Sequence, residues 1–345
     1  MNSGNIRPHL AILAVLLAAC QSMGISMPAE TNSAMTLTQA PALTVPTLSS
    51  PASPEPDWYQ PLPRSNNPLK FHYAQVTNPD ARVYVRLQDA ENENDQFTQL
   101  PVYPAYVSYV RKEKRGDLIY YKLATSEWMK GEDLQEVTPS PFTGILLIER
   151  VDFRFGWLIN DTTSLDAQTR PVRSFVRYQV VREYPLLEEK TGFFAIGENE
   201  WLPEESLALV DPGMPTGVNS DICRFIHVDL AQQTLSAYEN CQMVFATLIS
   251  SGQEDLVTRP GVFAVIRKFE YRTLDSDANA TDQYFLENVP YFMTYFGNLG
   301  LHGVYWHDQF GSPVSHGCIN LSVTDARWLF DWVVLGNVLL ISPGN

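Results

Sequence analysis

The stretch FIHVDLAQQTLSAY, residues 225–238, decides the class of fold, because apolar and polar residues alternate on both sides of a short polar turn. Alternation with a period of two predicts half-buried β-strands, and two such runs joined by a turn predict a hairpin. Further strand-like runs follow at 244–252 and 262–266. Cys223 and Cys241 flank the hairpin almost symmetrically, so we expect them to face each other and form a disulfide, with two free thiols as the alternative.

A second strand pattern precedes the hairpin and occurs twice. Residues 120–137 and 193–210 match without gaps at a constant offset of 73, each with an aromatic strand, a Glu-Trp pair and a Leu-x-x-Val ending. Such a repeat indicates duplicated units, and short strands rich in Tyr, Val and Phe predict small β-barrels. Trp128 and Trp201 of the Glu-Trp pairs are expected to be core residues, with ligand stacking as the alternative.

The N-terminus has the features of an export signal. Leu10–Leu17 is an apolar run too short to span a bilayer permanently, and it ends in Leu17-Ala18-Ala19-Cys20. Small residues before a cysteine resemble the lipobox of bacterial lipoproteins, which implies cleavage before Cys20 and diacylation of its thiol. An ordinary secretory signal is the alternative. The segment 20–63 is rich in Thr, Ser and Pro and nearly uncharged, which predicts a disordered tether.

Composition excludes two classes of protein. The 345 residues include 39 acidic and 24 basic side chains, a net charge of -15, whereas nucleic-acid binding needs surplus Lys and Arg. No nucleic-acid partner is therefore expected. Hydrophobic residues make up 45% of the chain, which excludes a wholly disordered protein and supports two or three domains.

Cys318 is the one cysteine beyond the lipobox and the expected disulfide, and it lies in Ser315-His316-Gly317-Cys318-Ile319-Asn320. An unpaired cysteine in an exported chain indicates a nucleophile, because a neighbouring imidazole can accept its proton. The glycine before it allows a substrate carbonyl to approach the backbone. The amides around Gly317 and Cys318 are expected to form an oxyanion hole, worth about 3 kcal/mol per donor.

Together with His302-Gly303 upstream, this motif resembles the signature of the YkuD family, the L,D-transpeptidase catalytic domain, over about residues 222–343. The resemblance implies a β-sandwich with the cysteine in a cleft. The expected chain is mainly β, with a C-terminal YkuD-type β-sandwich and a short helix, preceded by two SH3-like β-barrels. The predicted segments are a signal peptide at 1–19, the tether at 20–63, SH3-like modules at 64–140 and 141–215, and the catalytic domain at 216–345.

The resemblance also implies the roles of individual residues. Cys318 is the expected nucleophile and His302 its general base, oriented by the backbone carbonyl of Gly303. The remaining expected site residues shape the active site or line the substrate cleft, with core packing as the alternative for the aromatic ones: Ser315, His316, Gly317, Asn320, Tyr305, Trp306, His307 and Phe310.

The reaction that the resemblance implies is acyl transfer between peptidoglycan stem peptides. Cys318 attacks the third residue of a tetrapeptide, D-Ala leaves, and an amine of another stem resolves the thioester into a 3-3 crosslink. No cofactor or metal is required, and carbapenem-type inhibitors are expected to acylate the thiol. The expected location is outside the cytoplasm, lipid-anchored to the bacterial cell membrane and facing the wall.

Three alternatives stay open from the sequence. An L,D-carboxypeptidase would use water instead of an amine as acceptor. A zinc site would draw on His302, His307, His316 and Cys318, although none of these pairs has a familiar metal spacing. A non-catalytic wall-binding lipoprotein would use the SH3-like pair for affinity, and the pair is otherwise a spacer.

Overall fold

The computed structural model describes residues 56–63, 69–185, 190–216, 218, 221–276, 280 and 282–343. Its contacts divide the chain into Met1–Ser53 and Pro54–Asn345, and every described residue lies in the second unit. The predicted signal peptide, the lipidation site Cys20 and the tether up to residue 55 lie outside the described residues. No helix within the described ranges is long and apolar enough to cross a membrane.

The first repeat forms module 1, a sheet with its own core. Its elements, with the strand that precedes it, are β1 Tyr59–Pro61, β2 His72–Val76, β3 Arg82–Tyr84, α1 Leu87–Glu91, β4 Phe97–Gln99, β5 Ala105–Arg115, β6 Leu118–Leu123, β7 Trp128–Lys130, a 3-10 turn Gly131–Asp133 and β8 Leu134–Val137. Alternate residues of these strands face inward, so that Ala74, Val107, Tyr121 and Met129 pack together.

The second repeat forms module 2, with two small sheets around a second core that includes Phe175, Phe194 and Leu202. Its elements, with the strand that precedes it, are β9 Ile145–Leu147, β10 Phe155–Leu158, β11 Thr162–Leu165, β12 Pro171–Phe175, β13 Val180–Arg182, β14 Phe193–Gly197, β15 Glu200–Pro203, a 3-10 turn Glu204–Ser206 and β16 Leu207–Val210. Each module is a compact β unit, and the SH3-like class of both stays a prediction.

The C-terminal third is a β-sandwich with one helix against it. Its elements are β17 Phe225–Asp229, β18 Thr234–Glu239, β19 Gln242–Leu248, β20 Gly261–Ala264, β21 Arg267–Asp275, β22 Phe285–Phe296, β23 Leu299–Val304, β24 Ile319–Ser322, α2 Val323–Trp332 and β25 Val338–Ser342. The expected 225–238 hairpin is β17–β18, with His227 opposite Ser236.

One core joins the two layers of the sandwich. Val228 and Leu235 from β17–β18 pack in the same cluster as Met293 and Leu301 from β22–β23, and Leu329 of α2 closes it. The side chain of Ser322 caps α2 by accepting from the backbone N–H of Asp325, which satisfies one of the free donors at a helix start. The predicted mainly-β fold class with a short C-terminal helix is confirmed.

Two predicted boundaries differ from the structure. The tether ends before residue 58, because Trp58 is buried against Phe153 and Phe155, and β1 pairs with β9. The strand β9, predicted to begin module 2, instead pairs with β19 of the catalytic sheet. Module 1 is also continuous with the sandwich, since β5 pairs in parallel with β22. The described residues of 54–345 thus belong to one compact unit, and the separability of the predicted domains stays a prediction.

Candidate active site

Strand pairing brings together the two motifs that contain the expected catalytic residues. The strands β23 and β24 are parallel, with His302 opposite Asn320 and Leu301 opposite Ile319. Residues paired across adjacent strands share a face, so Asn320 lies on the side that His302 faces, and Cys318 immediately precedes β24. Two motifs that are separated in the sequence therefore meet on adjacent strands.

His302 is held in the state that a general base requires. Its side chain is buried, its Nδ1 lies 3.2 Å from the carbonyl oxygen of Gly303, and its ring stacks on Phe292 at 5.2 Å and 8°. A carbonyl accepts only from an N–H, so Nδ1 carries the hydrogen and Nε2 keeps its lone pair. Burial lowers the pKa of His302 to about 4, so the imidazole is neutral near pH 7.

Cys318 is the only free cysteine among the described residues. Burial raises the pKa of its thiol to about 11, although the backbone N–H of Gly300 and the charge of Arg272 act in the opposite direction. The resting state near pH 7 is therefore a neutral thiol with a neutral imidazole. Such a neutral starting state is the one that general-base activation of a thiol requires, in contrast to a preformed ion pair.

The turn that carries Cys318 is fixed by Ser315 and Gly317. Ser315 Oγ accepts from the backbone N–H of Gly317 at 3.0 Å and donates to the carbonyl oxygen of Cys318 at 2.6 Å. Gly317 has a φ of +111°, a conformation that a side chain would strain. The Gly317 amide expected in the oxyanion hole donates to Ser315 Oγ in this structure, and its role in the reaction stays a prediction.

Thr258 supports this turn and was not singled out from the sequence. Its hydroxyl donates to the carbonyl oxygen of Gly317 at 2.9 Å and accepts from the backbone N–H of Gly252 at 2.9 Å. Thr258 lies in the run Thr258-Arg259-Pro260-Gly261, and nothing in that sequence indicates contact with the cysteine motif. Gly303 is likewise enclosed, because a Cβ there would come within 3.2 Å of Pro290 and Val323.

The other expected site residues fall into different environments. His316 is exposed, and its Nε2 lies 2.7 Å from a carboxylate oxygen of Asp282. Tyr305 and Phe310, expected in the cleft, are fully buried at 1% and 0% exposure, so they are packing residues. Trp306 is partly exposed, with its ring centroid 5.9 Å from that of His302, which places it at the site.

Arg272 and Phe292 were also missed by the sequence reasoning. The guanidinium of Arg272 lies over the Phe292 ring, with its central carbon 4.6 Å from the centroid, and Arg272 Nη2 donates to Asn298 Oδ1 at 3.2 Å. Phe292 therefore contacts both the general base and the nearby cation. Neither residue belongs to a recognisable motif, and only the pairing of β21 with β22 places Arg272 near the site.

The remaining cysteines and His307 have structural contacts. Cys223 and Cys241 form the expected disulfide, with Cα atoms 4.2 Å apart. Among the residues that the structure describes, no three His, Cys, Asp or Glu side chains are grouped as metal ligands would be. His307 lies at the end of the site, with its Nε2 2.9 Å from the side-chain amide of Asn320.

Comparison with known proteins agrees with this geometry. Residues 224–341 match the family model of YkuD, the L,D-transpeptidase catalytic domain. The chain is 28% identical over 115 residues to L,D-transpeptidase 1 of Mycobacterium tuberculosis, a match that covers 31% of this chain and 46% of that protein. The chain thus spans about half the length of the curated relatives it matches. The match supports an L,D-transpeptidase catalytic domain in the C-terminal third.

Solved structures of the catalytic domain of Enterococcus faecium L,D-transpeptidase are also similar. The NMR structure of that domain is 30% identical and has a TM-score of 0.32, covering 36% of this chain and 100% of that one. The NMR structure of the same domain acylated by ertapenem is 30% identical with a TM-score of 0.31, covering 34% of this chain and 96% of that one.

Proposed function

We propose that this chain is a peptidoglycan L,D-transpeptidase that forms 3-3 crosslinks through a thioester on Cys318. The observation that carries the proposal is the neutral His302, whose Nδ1 is occupied by the Gly303 carbonyl and whose Nε2 is left to accept a proton, on a strand paired with the one that Cys318 precedes. A thiol with a raised pKa needs such a base before it attacks a carbonyl carbon.

The first half of the reaction forms the acyl-enzyme. The sulfur of Cys318 bonds to the carbonyl carbon of the third stem residue while its proton moves to Nε2 of His302. The C–N bond to the terminal D-Ala then breaks, and the imidazolium returns the proton to the leaving amine. Free D-Ala departs and a thioester remains.

The second half regenerates the thiol. An amine on the side chain of a second stem attacks the thioester carbonyl, and His302 accepts a proton from that amine. The C–S bond breaks, the proton returns to sulfur, and a new amide links the two stems. One amide is exchanged for another, so the energy of the cleaved bond is carried through the thioester and no nucleotide, cofactor or metal ion enters the balance.

Product analysis tests this function. Purified chain is incubated with disaccharide tetrapeptides, and the products are separated and sequenced by tandem mass spectrometry. We expect free D-Ala and dimers joined between two third-position residues. Tripeptides with D-Ala but no dimers would make water the acceptor and the protein a carboxypeptidase. Absence of both products would overturn the proposal.

Variants assign the catalytic roles. Cys318→Ala is expected to abolish D-Ala release, and His302→Ala to lower its rate about 10²–10⁴-fold, the usual contribution of a general base. The matched control is His316→Ala, because His316 is exposed and bound to Asp282. If both variants are folded and His316→Ala loses more of the D-Ala release rate than His302→Ala, the assignment of His302 as the base is wrong.

We also propose that the chain is a lipoprotein that acts outside the cytoplasm, anchored through acylated Cys20. The support is the Leu-Ala-Ala-Cys sequence and the Thr-, Ser- and Pro-rich segment after it. The test is fatty-acid labelling of cells that express the wild type or Cys20→Ala. Label in the wild type alone is expected, and equal labelling of both would overturn the anchor.

A further inference from the structure

The segment that follows the general-base strand is held from outside the catalytic domain. We call residues 305–311 the connecting segment, since it leaves β23 and leads toward the cysteine motif. Module 2 binds its backbone directly: Arg177 Nη2 donates to the carbonyl oxygens of Asp308 at 2.7 Å and Phe310 at 3.3 Å. The hydroxyl of Tyr178 donates to the same Asp308 carbonyl at 2.8 Å. The position of the connecting segment therefore depends on module 2.

Inside this segment, His307 makes two hydrogen bonds that determine its tautomer. Its Nδ1 accepts from the backbone N–H of Gln309 at 3.1 Å, and its Nε2 lies 2.9 Å from the Asn320 side-chain amide. Burial lowers the pKa of His307 to about 4, so the ring is neutral near pH 7 and carries one hydrogen. Because Nδ1 accepts, that hydrogen is on Nε2.

The tautomer of His307 in turn fixes the orientation of Asn320. An Nε2–H requires an oxygen as its partner, so Asn320 must direct Oδ1 rather than its NH₂ group toward His307. The two ends of an amide have the same shape and are assigned by their hydrogen bonds. When the NH₂ group of Asn320 faces His307 instead, its Oδ1 is buried without a hydrogen-bond partner in the described structure. With Oδ1 on His307, the NH₂ group occupies that position as a buried, unpaired donor.

This donor belongs to a residue of the cysteine motif. Asn320 is 3% exposed, two residues beyond Cys318, and directly opposite His302 in the register. We propose that His307 is a positioning residue, whose Nε2–H orients the Asn320 amide so that its NH₂ group donates to the substrate carbonyl oxygen, and that module 2 holds His307 in place through Arg177 and Tyr178. The substrate part of this proposal rests on the proposed function.

The tautomer can be measured without any activity. The full chain is labelled with ¹⁵N-histidine, and His307 is assigned by loss of its signals in His307→Gln. Two-bond nitrogen–proton spectra at pH 7 distinguish Nε2–H, Nδ1–H and imidazolium. We expect the Nε2–H tautomer for His307. Either of the other two forms would overturn the proposal.

The catalytic consequence is measured with ertapenem, which acylates the E. faecium catalytic domain. The maximal acylation rate and the half-saturating concentration are determined by mass spectrometry. Removing one oxyanion donor costs about 10²–10³-fold in rate, so His307→Ala should lose about 10–100-fold in maximal rate, because it disorders the donor without deleting it. The half-saturating concentration should change less than about threefold, because positioning acts on the reacting state. Wild-type acylation by His307→Ala would overturn the proposal.

Three further variants separate positioning from general loss of structure. His307→Gln keeps an N–H donor and should recover the rate to within about fivefold of wild type, whereas equal rates in His307→Ala and His307→Gln would contradict the proposal. Arg177→Gln should slow acylation about 3–10-fold. The matched control is Arg173→Gln, because Arg173 lies on the same module and pairs with Glu200 instead. Equal slowing by Arg177→Gln and Arg173→Gln would remove module 2 from the mechanism. If ertapenem does not acylate the wild type, the proposed function and the donor role of Asn320 are refuted. The nitrogen–proton spectra would still determine the tautomer of His307.

Discussion

Modules 1 and 2 are copies of one pattern that contact the catalytic domain in different ways. The strand Leu134–Val137 and the 3-10 turn Gly131–Asp133 before it recur 73 positions later as Leu207–Val210 and Glu204–Ser206. The order of strand, turn and strand is thus retained in both. The two modules differ in the side chains that contact the connecting segment.

Module 1 contacts this region mainly by aromatic stacking. The rings of Tyr73 and Tyr305 stack at 3.6 Å and 11°, and the Tyr73 hydroxyl donates to the carbonyl oxygen of Asn288. Beside them, the backbone N–H of Ser108 donates to the buried carboxylate of Glu287 at 2.8 Å. Both stacked rings are buried, and burial of aromatic side chains is a main source of stability.

Module 2 packs apolar residues such as Trp157 in one cluster with Phe310, and it adds polar groups on loops. Arg177 and Tyr178 follow β12 and bind main-chain carbonyls of the connecting segment. Hydrogen bonds of this kind add about 0.5–1.5 kcal/mol each to stability but define position closely. The comparison teaches that both copies of a duplicated unit pack on the catalytic domain, while module 2 also fixes the connecting segment through hydrogen bonds to its backbone.

The largest expected effect comes from removing both modules. Residues 216–345 alone would lack β1 and β9, and Asp325 would lose the backbone N–H of Gly144, which donates to its buried carboxylate at 2.8 Å. Burial already raises the pKa of Asp325 to about 6. Loss of a hydrogen-bond donor makes its buried negative charge still less favourable, which destabilises the fold. We expect this fragment not to fold by circular dichroism, whereas the full chain does. A folded fragment that is acylated at the wild-type rate would show that the modules are dispensable.

The next effect distinguishes the two repeats by their tryptophans. Trp128 is 6% exposed in the core of module 1, whereas its counterpart Trp201 is only partly buried. Trp128→Ala should lower the free energy of unfolding by about 3–5 kcal/mol, as for other buried aromatic residues, and Trp201→Ala by clearly less. Urea unfolding measures both. Equal losses of unfolding free energy would mean that the two copies do not differ in packing. If a variant instead loses binding to isolated cell walls without losing stability, the ligand-stacking alternative is supported.

The smallest effect is a pH dependence at the module 1 contact. Burial raises the pKa of Glu287, which the Ser108 N–H opposes, so the folded chain binds this proton more readily than the unfolded one. The contribution is most favourable below the unfolded pKa of about 4.3 and is lost as pH rises through the raised folded pKa. Glu287→Gln should flatten the fall in stability over that window, by about 1.4 kcal/mol per unit of pKa difference.

This prediction is checked by urea unfolding at a series of pH values. The matched control is Glu132→Gln, since Glu132 is an exposed carboxylate on module 1, and Glu287→Gln should flatten the curve more than this control does. Parallel curves for Glu287→Gln and the wild type would show that Glu287 does not titrate differently on folding.

Much of the site was predictable because its chemistry is local. His302-Gly303 and Ser315–Asn320 are short motifs, and the repeat at offset 73 needs only local strand and turn patterns. The structure confirms the β-sandwich and the disulfide, and it places His302 opposite Asn320. The relative positions of residues within such a short motif can be predicted, because residues that are close in the sequence have a nearly fixed spacing.

The rest depended on contacts between distant residues. Strands β1 and β9 are three residues each, too short to show a period, and they are identified only by pairing with one another and with β19. The use of the Gly317 amide depends on the rotamer of Ser315, and the burial of Tyr305 depends on Tyr73, more than 200 positions away. Sequence patterns cannot specify such partners.

The most direct test of the account is to locate the acyl group on the chain. Ertapenem-treated wild type and Cys318→Ala are digested, and the adduct is mapped by tandem mass spectrometry. The account predicts one adduct on the peptide that contains Cys318, none on the variant, and Cys223–Cys241 still bridged. An adduct on any other residue, or an adduct that persists in Cys318→Ala, would contradict it.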